Sequence, residues 1–385
     1  MKALSKRIVD MKPSGIREFF DYASERPEII SLSVGEPDFH TPQKIVYSGK
    51  KSLDEGKTFY TSNQGLPELR QKISKYLNDR FHVQYDSRNI ILTAGSSQAI
   101  LSSLMATINP GDEIIVTEPT YICYIPDIEM CGGKAVVIPL EAKDEFKLKP
   151  ETLRKYITNK TKALFLGFPN NPTGAIMTKQ DLQSIIPIIL DHDLYVFSDE
   201  IYAELTYGQD HCSIASLDGM KERTILISGF SKSFAMTGWR LGYVCASKEI
   251  IDQILKIQQY TMLSAPTIAQ YGAISFDSCF DDLQKMVEEY DSRRTYLLKQ
   301  FKALNIDCFE AKGAFYLFPS IKKFKLSSKE FCLKLLNEYG VLVVPGTAFG
   351  DGGEGYIRLS YATSMKNIKF FVDSLKRMAG DLNVL

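Results

Sequence analysis

From about residue 90, short apolar runs alternate with longer stretches of helical spacing, the signature of parallel strands joined by crossover helices. Asn89–Thr93, Glu113–Thr117, Ala135–Ile138, Ala163–Gly167, Leu194–Ser198 and Thr224–Ile227 read as strands, followed by Leu241–Val244. Upstream, Pro67 stands at a first helical position with helical spacing beyond it. Thr178 and Asp181 have the spacing of a capping box for a helix carrying Leu182, Ile185, Ile186 and Ile189; Pro187 inside that helix predicts a kink or an early stop. Leu283, Met286, Val287, Tyr290, Tyr296, Leu297 and Phe301 predict one long helix suited to bridging two domains. Beyond it, Lys312–Pro319 and Gly355–Tyr361 read as strands separated by helices, the last marked by Ile368, Phe371, Val372 and Leu375. A smaller α/β domain, completed by the N-terminal segment, is expected there.

Length and composition narrow the partners. A chain of 385 residues can bury a large core and divide into two domains. Its 46 basic and 46 acidic side chains remove the electrostatic reason to expect nucleic acid or an anionic membrane. The sequence lacks an apolar run of about eighteen residues, and Met1–Arg7 lacks the apolar core of a signal peptide, so a soluble, cytoplasmic protein is expected. Seven scattered cysteines without a Cys-x-x-Cys pair read as reduced thiols, with neither disulfides nor a metal site.

The chemistry concentrates in Ser228–Tyr243, around Lys232. Small neighbours such as Gly229 and Ser231 let a bulky planar partner approach the amine, while Ser228, Ser231 and Arg240 offer donors to an anion. That combination suits an aldehyde cofactor carrying a phosphate. Gly95, Ser96 and Ser97 lie between a strand and a helix N-terminus, where free N–H groups and the helix dipole favour an anion. Gly35–Asp38 and Phe168–Gly174 are turns, the second rigid enough to mount a donor at Asn171. Tyr121, Asp199 and Tyr202 follow strand ends, the edge at which open α/β sheets bind ligands. Arg358, inside an apolar run, requires an anion: either an intramolecular salt bridge or a planar carboxylate that matches its fork of donors. Each residue also has a plain structural reading on its own.

The lysine string resembles, position for position, the pyridoxal-phosphate attachment signature of class I and II aminotransferases. The resemblance extends from about residue 30 to 365 and includes Asn171-Pro172-Thr173-Gly174 and Ile357-Arg358-Leu359-Ser360. It implies that Lys232 is the attachment lysine and base, and that Asp199 keeps the cofactor ring nitrogen protonated while Tyr121 stacks on the ring. Asn171 and Tyr202 would donate to the phenolic oxygen, and Gly95, Ser96, Ser97, Ser231 and Arg240 would hold the phosphate. Tyr60, in a Tyr-x-x-x-x-Gly-x-x-x-Leu-Arg pattern, would reach the phosphate of a neighbouring subunit. Gly35, Tyr121, Asn171 and Arg358 would meet the substrate, with Arg358 on its α-carboxylate.

The implied fold is an α/β, aspartate-aminotransferase-like one, in a homodimer with shared active sites. A large domain (46–280) would carry a mostly parallel seven-stranded sheet, beside a small α/β domain (1–45 and 281–385). The strings Ser14–Arg17, Ser198–Tyr202 and Gly313–Tyr316 are similar to the bacterial N-acetyl-diaminopimelate and aromatic aminotransferase branch. The implied activity moves an amino group between an amino acid and a 2-oxo acid. N-acetyl-LL-diaminopimelate of lysine biosynthesis, or aromatic amino acids with 2-oxoglutarate, are the candidate substrates. One position departs: Gly229 stands where aspartate enzymes often have serine, leaving Ser231 and secondarily Ser228 for that phosphate contact. A carbon–sulfur lyase would keep the same cofactor set. A non-enzymatic cofactor-binding regulator would need a DNA-binding module, which the short stretch before residue 30 is not expected to supply.

Overall fold

In the computed structural model, which describes residues 2–11 and 28–384, the apolar runs form twelve strands. They are β1 (Ile30–Ser31), β2 (Ile90–Thr93), β3 (Glu113–Glu118), β4 (Lys134–Pro139), β5 (Thr161–Gly167), β6 (Tyr195–Asp199), β7 (Thr224–Gly229), β8 (Gly242–Cys245), β9 (Tyr316–Leu317), β10 (Val341–Leu342), β11 (Val344–Pro345) and β12 (Ile357–Ser360). Seven of them make one sheet in the order β2-β8-β7-β6-β5-β3-β4. Only β8 runs against its neighbours, pairing antiparallel with β2 and β7. The sheet is therefore the mostly parallel α/β sheet that the sequence pattern predicts. The Ser14–Arg17 string lies outside the described residues.

Every residue of β2, β3, β7 and β8 is buried, as expected of a sheet covered on both faces. Successive side chains alternate between two cores. Leu164, Leu166 and Val196 pack with Leu182, Ile185 and Ile189 of the helix Lys179–Asp191. Ala163, Phe165 and Phe197 face the opposite way, toward Ile100 and Leu104 of the helix Ser96–Thr107 and Ile250 and Ile254 of the helix Lys248–Thr261. The helix Phe280–Ala303 buries Leu283, Met286, Tyr290, Leu297 and Phe301 along one stripe, as its spacing predicts. Beyond it, β11, β12 and β9 form a small antiparallel sheet, and β1 pairs in parallel with β10. Among the described residues no helix is long and apolar enough to cross a membrane, and none of the seven cysteines forms a disulfide.

Two local expectations are corrected. The helix Lys179–Asp191 does not stop at Pro187. Pro187 and Gln183, whose carbonyl loses its helical partner there, both lie on the exposed face, so water can satisfy the orphaned oxygen while the buried stripe holds the helix together. Within Lys312–Pro319 only Tyr316–Leu317 is strand, because Ala314 takes a left-handed conformation (φ 56°) that turns the chain, and Gly313 and Pro319 make isolated bridges instead.

The capping box at Thr178 is complete: its hydroxyl accepts the Asp181 N–H at 3.2 Å, and the Asp181 carboxylate accepts the Thr178 N–H at 2.9 Å. Thr178→Ala should therefore lower stability by about 1 kcal/mol, read as a lower urea midpoint with an unchanged slope. An unchanged midpoint would mean the cap contributes nothing.

Candidate active site

The parallel strands deliver their carboxyl ends to one edge, where a cavity of about 870 Å³ opens. Ser96 and Ser97 (after β2), Tyr121 (after β3), Asn171 (after β5), Asp199 and Tyr202 (end of β6 and beyond), and Ser231, Lys232 and Arg240 (after β7) all line it. From the other side come Gly35 and Arg358. Residues scattered over 320 positions of sequence thus meet in one space.

Backbone geometry accounts for several of the small residues. Gly95, with φ 81°, follows β2 and stands at the N-cap of the helix Ser96–Thr107; a Cβ there would lie 2.4 Å from Arg240 Nη2, so the guanidinium lies over the glycine. At Gly229 a Cβ would meet Gly242 Cα at 2.8 Å and the Leu241 carbonyl at 2.9 Å. The β7–β8 crossing has no room for a serine at 229, which explains the departure seen in the sequence. Ser228 turns into the sheet, donating to the Glu200 carbonyl at 3.2 Å, whereas Ser231 lines the cavity.

Each charged group in the cavity is held by neutral partners. Asp199 accepts from the Tyr124 hydroxyl at 2.9 Å and from the Ile201 N–H at 3.1 Å. Burial pushes its carboxyl up to about 6 in spite of those two donors. The Lys232 ammonium donates to the Gly35 carbonyl at 2.6 Å. Burial brings its amine down to about 8, with Glu36 opposing that shift and Arg358 and Arg240 adding to it. Arg358 is 3% exposed, and burial lowers its affinity for the proton. Its Nη1 donates to Asn171 Oδ1 at 3.1 Å and its Nη2 to the Ser33 carbonyl, while Nε has no partner. Its Cζ lies 4.5 Å from the Tyr316 ring centroid and 4.8 Å from that of Phe349. Among the described residues Arg358 makes no salt bridge, so the intramolecular ion pair that the sequence left open is not formed.

Tyr60 stands apart. It is 79% exposed and lines a separate surface pocket with Phe59, Pro266 and Ile268. The single chain does not bring it to the cavity.

Several cavity residues escaped the sequence reading. Tyr124 follows Tyr121 by three, a spacing that could have marked it as a neighbour on the same face. Tyr316, whose hydroxyl lies 2.8 Å from that of Tyr202, and Glu36, whose carboxylate accepts from Thr237 at 3.2 Å, belong to strings already singled out. Behind the cavity wall, Phe349 and the Ser33 carbonyl, which contact Arg358, carry no sequence signal.

The donor set suits pyridoxal phosphate. A helix N-terminus with two serines, Ser231 and a guanidinium over a glycine can receive a phosphate; a buried amine can condense with an aldehyde; a buried carboxylate can face a ring nitrogen. Arg358, which lines the cavity and bonds only neutral acceptors, can receive a carboxylate.

Residues 27–375 match the family model described as Aminotransferase class I and II. The chain is 43% identical over 381 residues to an aspartate aminotransferase of Pyrococcus abyssi, covering 98% of each chain. It is 41% identical over 381 residues to aromatic-amino-acid aminotransferase 2 of Thermococcus litoralis, again covering 98% of each. Its fold is similar to the solved aromatic aminotransferase of Pyrococcus horikoshii, with a TM-score of 0.91 and 41% identity over 95% of this chain and all of that one.

In the cofactor-free protein the Lys232 amine should become nucleophilic as pH rises through about 8 rather than 10.5. Limited reductive methylation, read peptide by peptide, should show Lys232 half-modified near that pH. Removing the anion in Glu36→Gln should move the Lys232 midpoint down, and removing the cation in Arg240→Gln should move it up. A Lys232 midpoint at the ordinary lysine value of 10.5 would contradict the burial.

Proposed function

The chain belongs to the class I and II aminotransferases, which are pyridoxal-phosphate-dependent enzymes, and we propose that Lys232 and Asp199 are the groups through which it transaminates. The observation that carries this reading is the shared cavity: a buried amine and a buried carboxylate at one sheet edge, with an unpaired arginine opposite. When bound, pyridoxal phosphate supplies a cationic conjugated ring that takes up the electron pair left by departure of the α-proton.

Ser96, Ser97, Ser231 and Arg240 hold the phosphate beside Gly95, and Tyr60 of a second copy completes that cradle in a homodimer. Tyr121 packs on the ring face; Asn171 and Tyr202 donate to the phenolic oxygen. Asp199, raised to about 6 by burial against the pull of its two donors and so anionic above that pH, balances the charge on the ring nitrogen. Arg358 orients the substrate through its α-carboxylate, with the Gly35 backbone beside it. The Lys232 amine takes the α-proton at Nζ and returns it on the other side of the transfer, which requires its neutral form, and burial favours that form. One of the two relatives acts on aromatic amino acids by name, and the Ser198–Tyr202 and Gly313–Tyr316 strings are similar to the N-acetyl-diaminopimelate branch, so an aromatic amino acid or N-acetyl-LL-diaminopimelate is proposed as donor to a 2-oxo acid. A cytoplasmic, biosynthetic role is proposed with it. The large part is taken as 46–280, and the smaller as 1–45 with 281–385, a division supported by the pairing of β1 with β10.

Lys232→Ala should lower turnover by at least about a thousandfold and remove the visible absorbance of the attached cofactor. Retained transamination in that variant would defeat the assignment. A half-reaction screen with aspartate, phenylalanine and N-acetyl-LL-diaminopimelate should reveal the donor. Release of pyruvate and ammonia from a sulfur amino acid, without formation of a new amino acid, would mark a lyase instead.

A further inference from the structure

We propose that Glu118 is a positioning residue: it docks the loop 346–353 so that Phe349 packs on Arg358 and fixes the guanidinium for the substrate carboxylate. The inference deepens the proposed function and rests on its reading of Arg358 as the α-carboxylate ligand.

The loop joins β11 to β12, the strand that carries Arg358, and contains Gly346, Gly350, Gly352 and Gly353. So many glycines leave a loop with high conformational entropy unless it is tied down. Residues 118–120 provide the tie. The Thr120 N–H donates to the Phe349 carbonyl at 3.1 Å. The Glu118 carboxylate accepts the Gly352 N–H at 3.3 Å, and the backbone N–H of Asp351 also favours its charged form. Gly350, with φ 119°, lies so close that a Cβ there would be 1.8 Å from Glu118 Oε1. Glu118 is largely buried, and burial raises its proton affinity, with nearby Asp351 adding to the shift and the two loop N–H groups opposing it. The donors that reward its burial thus belong to the loop it holds.

The loop's single aromatic, Phe349, is buried and lies 4.8 Å from Arg358 Cζ. Arg358 needs that contact: two of its nitrogens bond neutral acceptors and Nε bonds nothing, so hydrogen bonds alone do not fix the plane of the fork. Ring packing can fix it, because a guanidinium stacks on an aromatic face with its donors still free at the edge. Tyr316 provides a second ring, but it is also bonded to Tyr202. Phe349 is the contact that can be altered without touching that pair. The tie also sits one to three residues before Tyr121, so the loop docks on the segment that carries a cavity aromatic.

The test uses the holoenzymes of Glu118→Asp, which keeps the charge but loses the reach, Glu118→Gln, which keeps the reach, Phe349→Leu and Arg358→Lys. Each is given the amino acid that reacts fastest in the screen and the amine left when its carboxyl group is removed. Glu118→Asp and Phe349→Leu should raise KM for the amino acid by about tenfold with kcat nearly unchanged, while Glu118→Gln stays near the parent. The rate with the amine, and the affinity of cofactor-free protein for pyridoxal phosphate by equilibrium dialysis, should not change. Equal losses for amine and amino acid, or an unchanged KM in both Glu118→Asp and Phe349→Leu while Arg358→Lys is impaired, would overturn the inference alone. Indifference of Arg358→Lys would bring down the reading of Arg358 and the inference with it.

Discussion

Burying an ammonium, a carboxylate and a guanidinium around one cavity is costly, and the fold meets that cost with neutral dipoles instead of opposite charges. Lys232 is held by the Gly35 carbonyl, Asp199 by Tyr124 and a backbone N–H, and Arg358 by Asn171 and the Ser33 carbonyl. Neutral partners satisfy hydrogen bonds without cancelling charge. The amine and the arginine therefore keep their attraction for anionic groups, and the carboxylate keeps its attraction for a protonated ring. A cavity in which the same three charges paired with one another would have less to offer a ligand.

The three charges come from different parts of the chain, and their relative positions depend on how those parts are fastened. Arg293, on the long helix Phe280–Ala303, donates from Nη1 to both Asp38 oxygens at 2.9 Å and to the Tyr361 carbonyl at 3.3 Å. The Ser360 N–H donates to the Leu32 carbonyl at 2.8 Å. One buried arginine and one backbone bond thus hold together the segment that carries Ser33 and Gly35 and the strand that carries Arg358. The partners that keep Lys232 and Arg358 in place are delivered by the same fastening.

Most of the sheet and of the cavity was legible in the sequence, for a physical reason. Parallel strands buried on both faces must be nearly all apolar, and strand-end residues such as Asp199 and Lys232 interrupt that pattern abruptly. Residues whose importance arises from long-range packing were not legible. Phe349 looks like any loop aromatic until its ring is found against Arg358, and the Ser33 carbonyl has no side-chain signature. Tyr124 was passed over because an aromatic inside a short helix reads as core, which it also is, stacked on Phe165 at 4.0 Å. Pro187 does not end its helix because it lies on the face that meets water, which its propensity alone does not reveal. Tyr60 belongs to a clear motif, yet in the single chain it is exposed and lines no part of the cavity, so the chain by itself assigns it no task.

The pairing of β1 with β10 joins residues more than three hundred positions apart. During synthesis the seven-stranded sheet can close once Cys245 has left the ribosome, but Ile30 and Leu32 must wait for Val341 and Leu342. At ordinary elongation rates that wait lasts roughly 15–60 s. Throughout it, an apolar segment near the front of the chain has no partner, which makes it a natural handle for a holding chaperone. The wall of the cavity bearing Arg358 is then the last to be raised.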